Sequence, residues 1–98
     1  MKNLSAVEFK NEIENDPKAV IIDVRAAEEE AEGLIPKSLN INIMDAEFAS
    51  KVADLDPSKN YYVYCRAGGR SSSACGYMDE QGLNTFNLKG GIQAWNLL

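Results

Sequence analysis

With 98 residues, the chain is long enough for one compact domain over 1–98 and too short for two, since domains usually run to roughly 100–150 residues. Ten Lys and Arg against fifteen Asp and Glu leave a net charge of -5, which disfavours both a nucleic-acid backbone and an anionic membrane surface as partners. Histidine is absent and cysteine occurs only at 65 and 75, so Ser-His-Asp and Cys-His nucleophile pairs cannot be built, nor can a four-ligand zinc site; no metal and no cofactor are expected.

In chain order, Ser5 precedes Val7, Phe9 and Ile13 at helical spacing, and Glu8 completes a capping-box signature. The spacing predicts a first helix that stops near Asn15-Asp16-Pro17. Ala19-Val20-Ile21-Ile22 is a continuous apolar run ending in Asp23-Val24-Arg25, as a buried parallel strand would. Glu28 to Glu32 reads as a short acidic helix closed by Gly33, and Leu39 to Ile43 alternates with period two, as a strand near the sheet edge. Asp45 can cap a helix through Val52, ended by the Asp56-Pro57 turn. Tyr61 to Tyr64 is a second strongly buried strand, and Ser71 to Gln81 a helix with Gly82 as its C-cap. A strand over Thr85–Leu88 and a terminal helix over Ile92–Leu97, after Gly90-Gly91, complete the series. Strands alternating with helices through short links imply a parallel α/β sheet covered on both faces.

The longest apolar run, Tyr61 to Cys65, is five residues, far below the ~20 needed to span a bilayer. The first ten residues contain Glu8 and Lys10 instead of the apolar stretch of a secretory signal. The expected location is the cytoplasm, where thiols stay reduced.

The chemistry concentrates in Cys65-Arg66-Ala67-Gly68-Gly69-Arg70-Ser71. Ligands of open α/β sheets bind beyond the carboxyl ends of the strands, which is where Cys65 is predicted to sit. Two adjacent glycines let successive N–H groups converge as an anion-binding nest at a helix N-terminus, and such a nest holds a thiolate below its ordinary pKa. Arg66 and Arg70 are the only charged residues between Tyr61 and Met78, a locally positive mouth suited to a small anionic substrate. A cysteine at a strand end is more often packing than nucleophile; the glycines and arginines turn the reading for Cys65. Cys75 lacks such a setting and reads as core, with a resolving thiol as the minority view. Trp95, Gly90 and Gly91 read as packing of the terminal helix.

These pieces resemble a rhodanese domain of the single-domain sulfurtransferase type. The matching residues are Ile22-Asp23-Val24-Arg25 with Glu29, Gly33-Leu34-Ile35-Pro36 leading to Leu39-Asn40-Ile41, the loop from Tyr64 to Ser71, and Leu88-Lys89-Gly90-Gly91 with Trp95. The resemblance implies a central five-stranded parallel sheet with helices on both faces. It implies that Cys65 carries sulfur as a persulfide, with Arg66, Ala67, Gly68, Gly69, Arg70 and Ser71 forming the cradle. Thiosulfate would be the usual assay donor and cyanide or a thiol the acceptor, with transfer to a protein acceptor a further option. Asp23, Arg25 and Glu29 match a polar network that supports the loop, against the plain alternative of a surface salt bridge. Leu34 stands where many members carry histidine and Lys37 where many carry glycine, which bears on partner or substrate preference.

Two competing readings remain at this point. One is an oxyanion enzyme of the phosphatase or arsenate-reductase kind. Such loops carry one residue more than the four that separate Cys65 from Arg70. The other is a noncatalytic binding module of the same fold, although such modules commonly lack the cysteine or the loop.

Overall fold

The computed structural model describes residues 1–98. Five strands, β1 (Lys2–Leu4), β2 (Ala19–Asp23), β3 (Leu39–Asn40), β4 (Asn60–Tyr64) and β5 (Asn84–Leu88), form one sheet. Its order is β1-β5-β4-β2-β3 and every pairing is parallel. Helices α1 (Ala6–Glu14), α2 (Phe48–Ala53), α3 (Gly69–Glu80) and α4 (Gly91–Trp95) supply the crossovers and the covering layers, with a 3-10 helix over Ala27–Glu32 between β2 and β3.

The central strand β4 explains both faces at once. Alternate residues of a strand point to opposite sides, and here Tyr61, Val63 and Cys65 join Ile22, Val24, Ala74, Cys75 and Met78 in one core. Tyr62 and Tyr64 join Leu4, Phe9, Ile21, Leu88 and Ile92 in the other. Because both faces of β4 are covered, its sequence is a continuous apolar run rather than an alternation. The chain therefore delivers the Cys65 sulfur to the α3 side of the sheet. No helix is long and apolar enough to cross a membrane.

Most elements fall where their sequence signals put them. The capping box forms as read, with Glu8 N–H donating to Ser5 Oγ at 3.2 Å and Ser5 N–H to Glu8 Oε1 at 2.8 Å. Gly82, at φ +85°, follows the Gln81 C-cap of α3. The differences have local causes. The edge strand β1 is absent from the sequence reading because three residues are too few to show a period; pairing with Phe86–Leu88 alone makes it a strand. β3 shrinks to Leu39–Asn40, although Ile41 and Ile43 still donate N–H groups to the Asp23 and Val24 carbonyls at 2.9 and 3.0 Å. The acidic helix is 3-10 and buries no side chain. Asp45 does not cap α2: its carboxylate accepts from the Glu47 N–H at 2.9 Å in an Asx turn, and the helix starts after it at Phe48.

Candidate active site

Cys65 follows the last residue of β4, and the chain turns through Arg66–Gly68 into α3. Gly68 makes the turn at φ +107°, a conformation side chains rarely adopt. Its N–H donates to Cys65 Sγ at 3.1 Å, and the Ser71 hydroxyl, one turn into α3, does so at 3.3 Å. Cys65 is 1% exposed, sunk under the loop that supplies its donors. Burial pushes the thiol pKa up, but the Ser71 hydroxyl and the N–H groups of Ser71, Gly68 and Ala67 outweigh it, so the net direction is down. The arrangement can hold a sulfur anion without a general base.

The loop's backbone is fastened from behind by the start of α4. Ile92 N–H donates to the Cys65 carbonyl at 2.9 Å and Gln93 N–H to the Arg66 carbonyl at 3.3 Å. Gly91 lies against this turn, where a Cβ would come within 2.3 Å of the Arg66 carbonyl oxygen; its φ is +59°. The double glycine, read from sequence as helix packing, thus belongs to the site. The sequence shows only that Gly90-Gly91 follows a strand; that this strand lies beside β4, which brings Gly91 to the loop, is decided by the sheet order.

A second layer holds the loop's arginines. Arg25 is fully buried, not a surface pair, and donates from Nε and Nη2 to the two carboxylate oxygens of Asp23 at 2.9 Å each. The same guanidinium donates to the carbonyls of Glu29 at 3.0 Å and Gly33 at 2.8 Å and lies over the Tyr64 ring. It therefore pins the 3-10 segment to the end of β2. Asn40, part of the Leu39-Asn40-Ile41 motif, donates from Nδ2 to the Asp23 and Arg25 carbonyls at 3.1 and 2.9 Å, a support that its place in the motif does not reveal.

From that segment Glu29 grips Arg70 through two parallel bonds of 2.7 and 2.8 Å, and Glu32 pairs with Arg66 at 2.9 Å. The Arg70 hydrogen bonds hold the Glu29 carboxyl below its usual range. The structure thus corrects the expectation of an unopposed positive mouth. Arg66 and Arg70 stand alone in their stretch of sequence, but tertiary contact neutralises each with a glutamate more than thirty residues upstream. Gly69 opens α3 with Arg70 in its first turn, and the Arg70 guanidinium turns away to Glu29.

Cys75 sits in the body of α3, fully buried, with its thiol pushed up to about 11 mainly by burial. Leu34 is half-exposed, and Lys37 takes a positive φ of +69°, the conformation for which glycine would be free of strain.

A family model described as "Rhodanese-like domain" matches residues 5–98. The Bacillus subtilis protein named "Putative sulfurtransferase YtwF" is 43% identical over 95 residues, covering 97% of this chain and 90% of the relative. An Allochromatium vinosum protein named "Sulfurtransferase" is 34% identical over 77 residues, covering 78% of this chain and 70% of the relative. Among solved structures, a rhodanese-related protein from Thermoplasma volcanium superposes with a TM-score of 0.86 at 32% identity, covering 99% of this chain and 92% of that one.

Proposed function

The chain belongs to the rhodanese-like domain family, whose sulfurtransferase relatives support an enzyme of the rhodanese class, and we propose that it moves sulfane sulfur through a persulfide on Cys65. The observation that carries this reading is the convergence of the Gly68 N–H and the Ser71 hydroxyl on the Cys65 sulfur itself.

In the proposed cycle the Cys65 thiolate attacks the outer sulfur of thiosulfate. A sulfur–sulfur bond forms to Cys65, the bond to the sulfonate sulfur breaks, and its electron pair leaves with sulfite. The terminal persulfide sulfur carries the negative charge, and the N–H donors around Sγ and the N-terminus of α3 favour that charge. Cyanide then attacks the terminal sulfur, forming thiocyanate and returning the electron pair to Cys65 as thiolate. A thiol acceptor takes the same sulfur and leaves as a persulfide, and a cysteine of an acceptor protein is a thiol of this kind. The donor class is a small anionic sulfur compound. Both thiols are free, which suits the reducing cytoplasm proposed as the location.

A phosphatase-like reading needs donors aimed at a tetrahedral anion beyond the sulfur, with the arginine free to clasp it. Here the Arg70 guanidinium is held by both oxygens of Glu29, which disfavours it. Intact-protein mass spectrometry tests the proposal. Incubation with thiosulfate should add the mass of one sulfur atom, lost again after cyanide and absent in Cys65→Ser. Cys65-dependent hydrolysis of p-nitrophenyl phosphate without a persulfide would overturn it.

A further inference from the structure

The orphaned atom beside the loop is on Asn87. This residue of β5 is 4% exposed, and its Oδ1 is buried with no hydrogen-bond partner. A buried acceptor without a partner is costly, and an apolar side chain would fill the same space without that cost. The other end of the amide does have work to do. Nδ2 donates at 3.0 Å to the Oδ1 of Asn3, its register partner on β1, and lies 3.4 Å from the carbonyl of Gly68. Turning the amide over would replace the donor facing that carbonyl with the unpartnered oxygen.

The Gly68 carbonyl is the back of the peptide unit that precedes α3, in the residue whose N–H meets the Cys65 sulfur. It accepts the Ser72 N–H at 3.1 Å, and the Ser71 Oγ is 3.2 Å from it. The same Ser71 Oγ is 3.3 Å from the sulfur. Serine has one hydroxyl proton, so the carbonyl and the sulfur compete for it, whereas a carbonyl has two lone pairs. With Ser72 on one lone pair and Asn87 on the other, the carbonyl has no further need of the serine.

We propose that Asn87 is a positioning residue: by donating to the Gly68 carbonyl it leaves the Ser71 hydroxyl proton to the Cys65 sulfur. This rests on the reading of Cys65 as the sulfur-carrying residue, and it adds a side chain from β5 to a site whose other parts are the loop, the 3-10 segment, the end of β2 and the start of α4.

The test is a coupling measurement in a Cys75→Ala background, which leaves one thiol. Thiolate ultraviolet absorbance is followed against pH in the Asn87→Leu, Ser71→Ala and doubly substituted proteins. Asn87→Leu should raise the Cys65 midpoint by about half to one pH unit, a roughly three- to tenfold loss of thiolate at fixed pH. In the Ser71→Ala protein the same substitution should add nothing, because no hydroxyl proton remains to redirect. Asn3→Ala, at an exposed position, should shift the midpoint in the same direction by less, and it reports the effect should Asn87→Leu fail to fold. An unchanged midpoint in the Asn87 and Asn3 variants overturns the proposal, as does an equal shift with and without Ser71. Coupling that persists in a protein forming no persulfide with thiosulfate would support the role of Asn87 and overturn the sulfur-transfer reading instead.

Discussion

Cys65 and Cys75 are equally hidden from solvent, packed in the same core, yet their thiols shift in opposite directions. Cys75 lies within a helix whose own N–H groups are engaged, so burial acts almost alone and favours the neutral form. Cys65 lies where the chain changes from strand to helix, and the first turn of α3 has N–H groups without intrahelical partners. Burial of a sulfur thus says little about its reactivity. What matters is whether the surrounding backbone has donors to spare.

The largest expected contrast is in activity. Cys65→Ser should abolish thiosulfate:cyanide sulfurtransferase activity, and Cys75→Ala should retain most of it, measured by thiocyanate release. Equal loss in two folded variants would erase the distinction between the thiols.

Next, Gly91→Ala should damage the Cys65 region and spare the packing of Cys75. Its Cβ would meet the Arg66 carbonyl at 2.3 Å from a backbone already at φ +59°. The expected cost is about 3 kcal/mol in urea unfolding, with activity lost in the protein that remains folded. Gly76→Ala, on the α3 surface with nothing within 4 Å of the added atom, is the matched control and should cost nothing.

Arg70→Leu removes the partner of Glu29 and should lower turnover roughly ten- to a hundredfold, corresponding to about 1.5–3 kcal/mol for lost charge-assisted bonds. Glu29→Gln should reproduce part of that loss, since it loosens the same bidentate pair. Near wild-type rates in both variants would mean the cradle holds its shape without the second layer.

The smallest contrast is in stability against pH, and its sign differs between the thiols. The Cys75 pKa is raised to about 11 from an ordinary 9.0. The folded protein therefore keeps that proton while the unfolded chain loses it, and stability falls as pH rises from 9 towards 11, by roughly 2–3 kcal/mol over the window. Cys65 is lowered, so its contribution is present above the unfolded value and is lost as pH falls through the folded one. Chemical denaturation at mildly and strongly alkaline pH should show Cys75→Ala flattening the alkaline fall and Cys65→Ser leaving it.

The sequence by itself determined the fold class, most of the elements and the loop. Each of these rests on local chemistry: the capping box at Ser5 and Glu8, the unbroken apolar run of β4, and the paired glycines after Cys65. Tertiary structure decided what no local pattern encodes. It made a strand of Lys2–Leu4 by giving it an edge to pair with, and it brought Glu29 and Glu32 onto arginines that stand alone in their own stretch of chain. It set Gly91 and Asn87 behind the loop. A parallel sheet brings together the ends of strands far apart in sequence, so the groups around Cys65 come from separate segments, and only the sheet order says which ones meet.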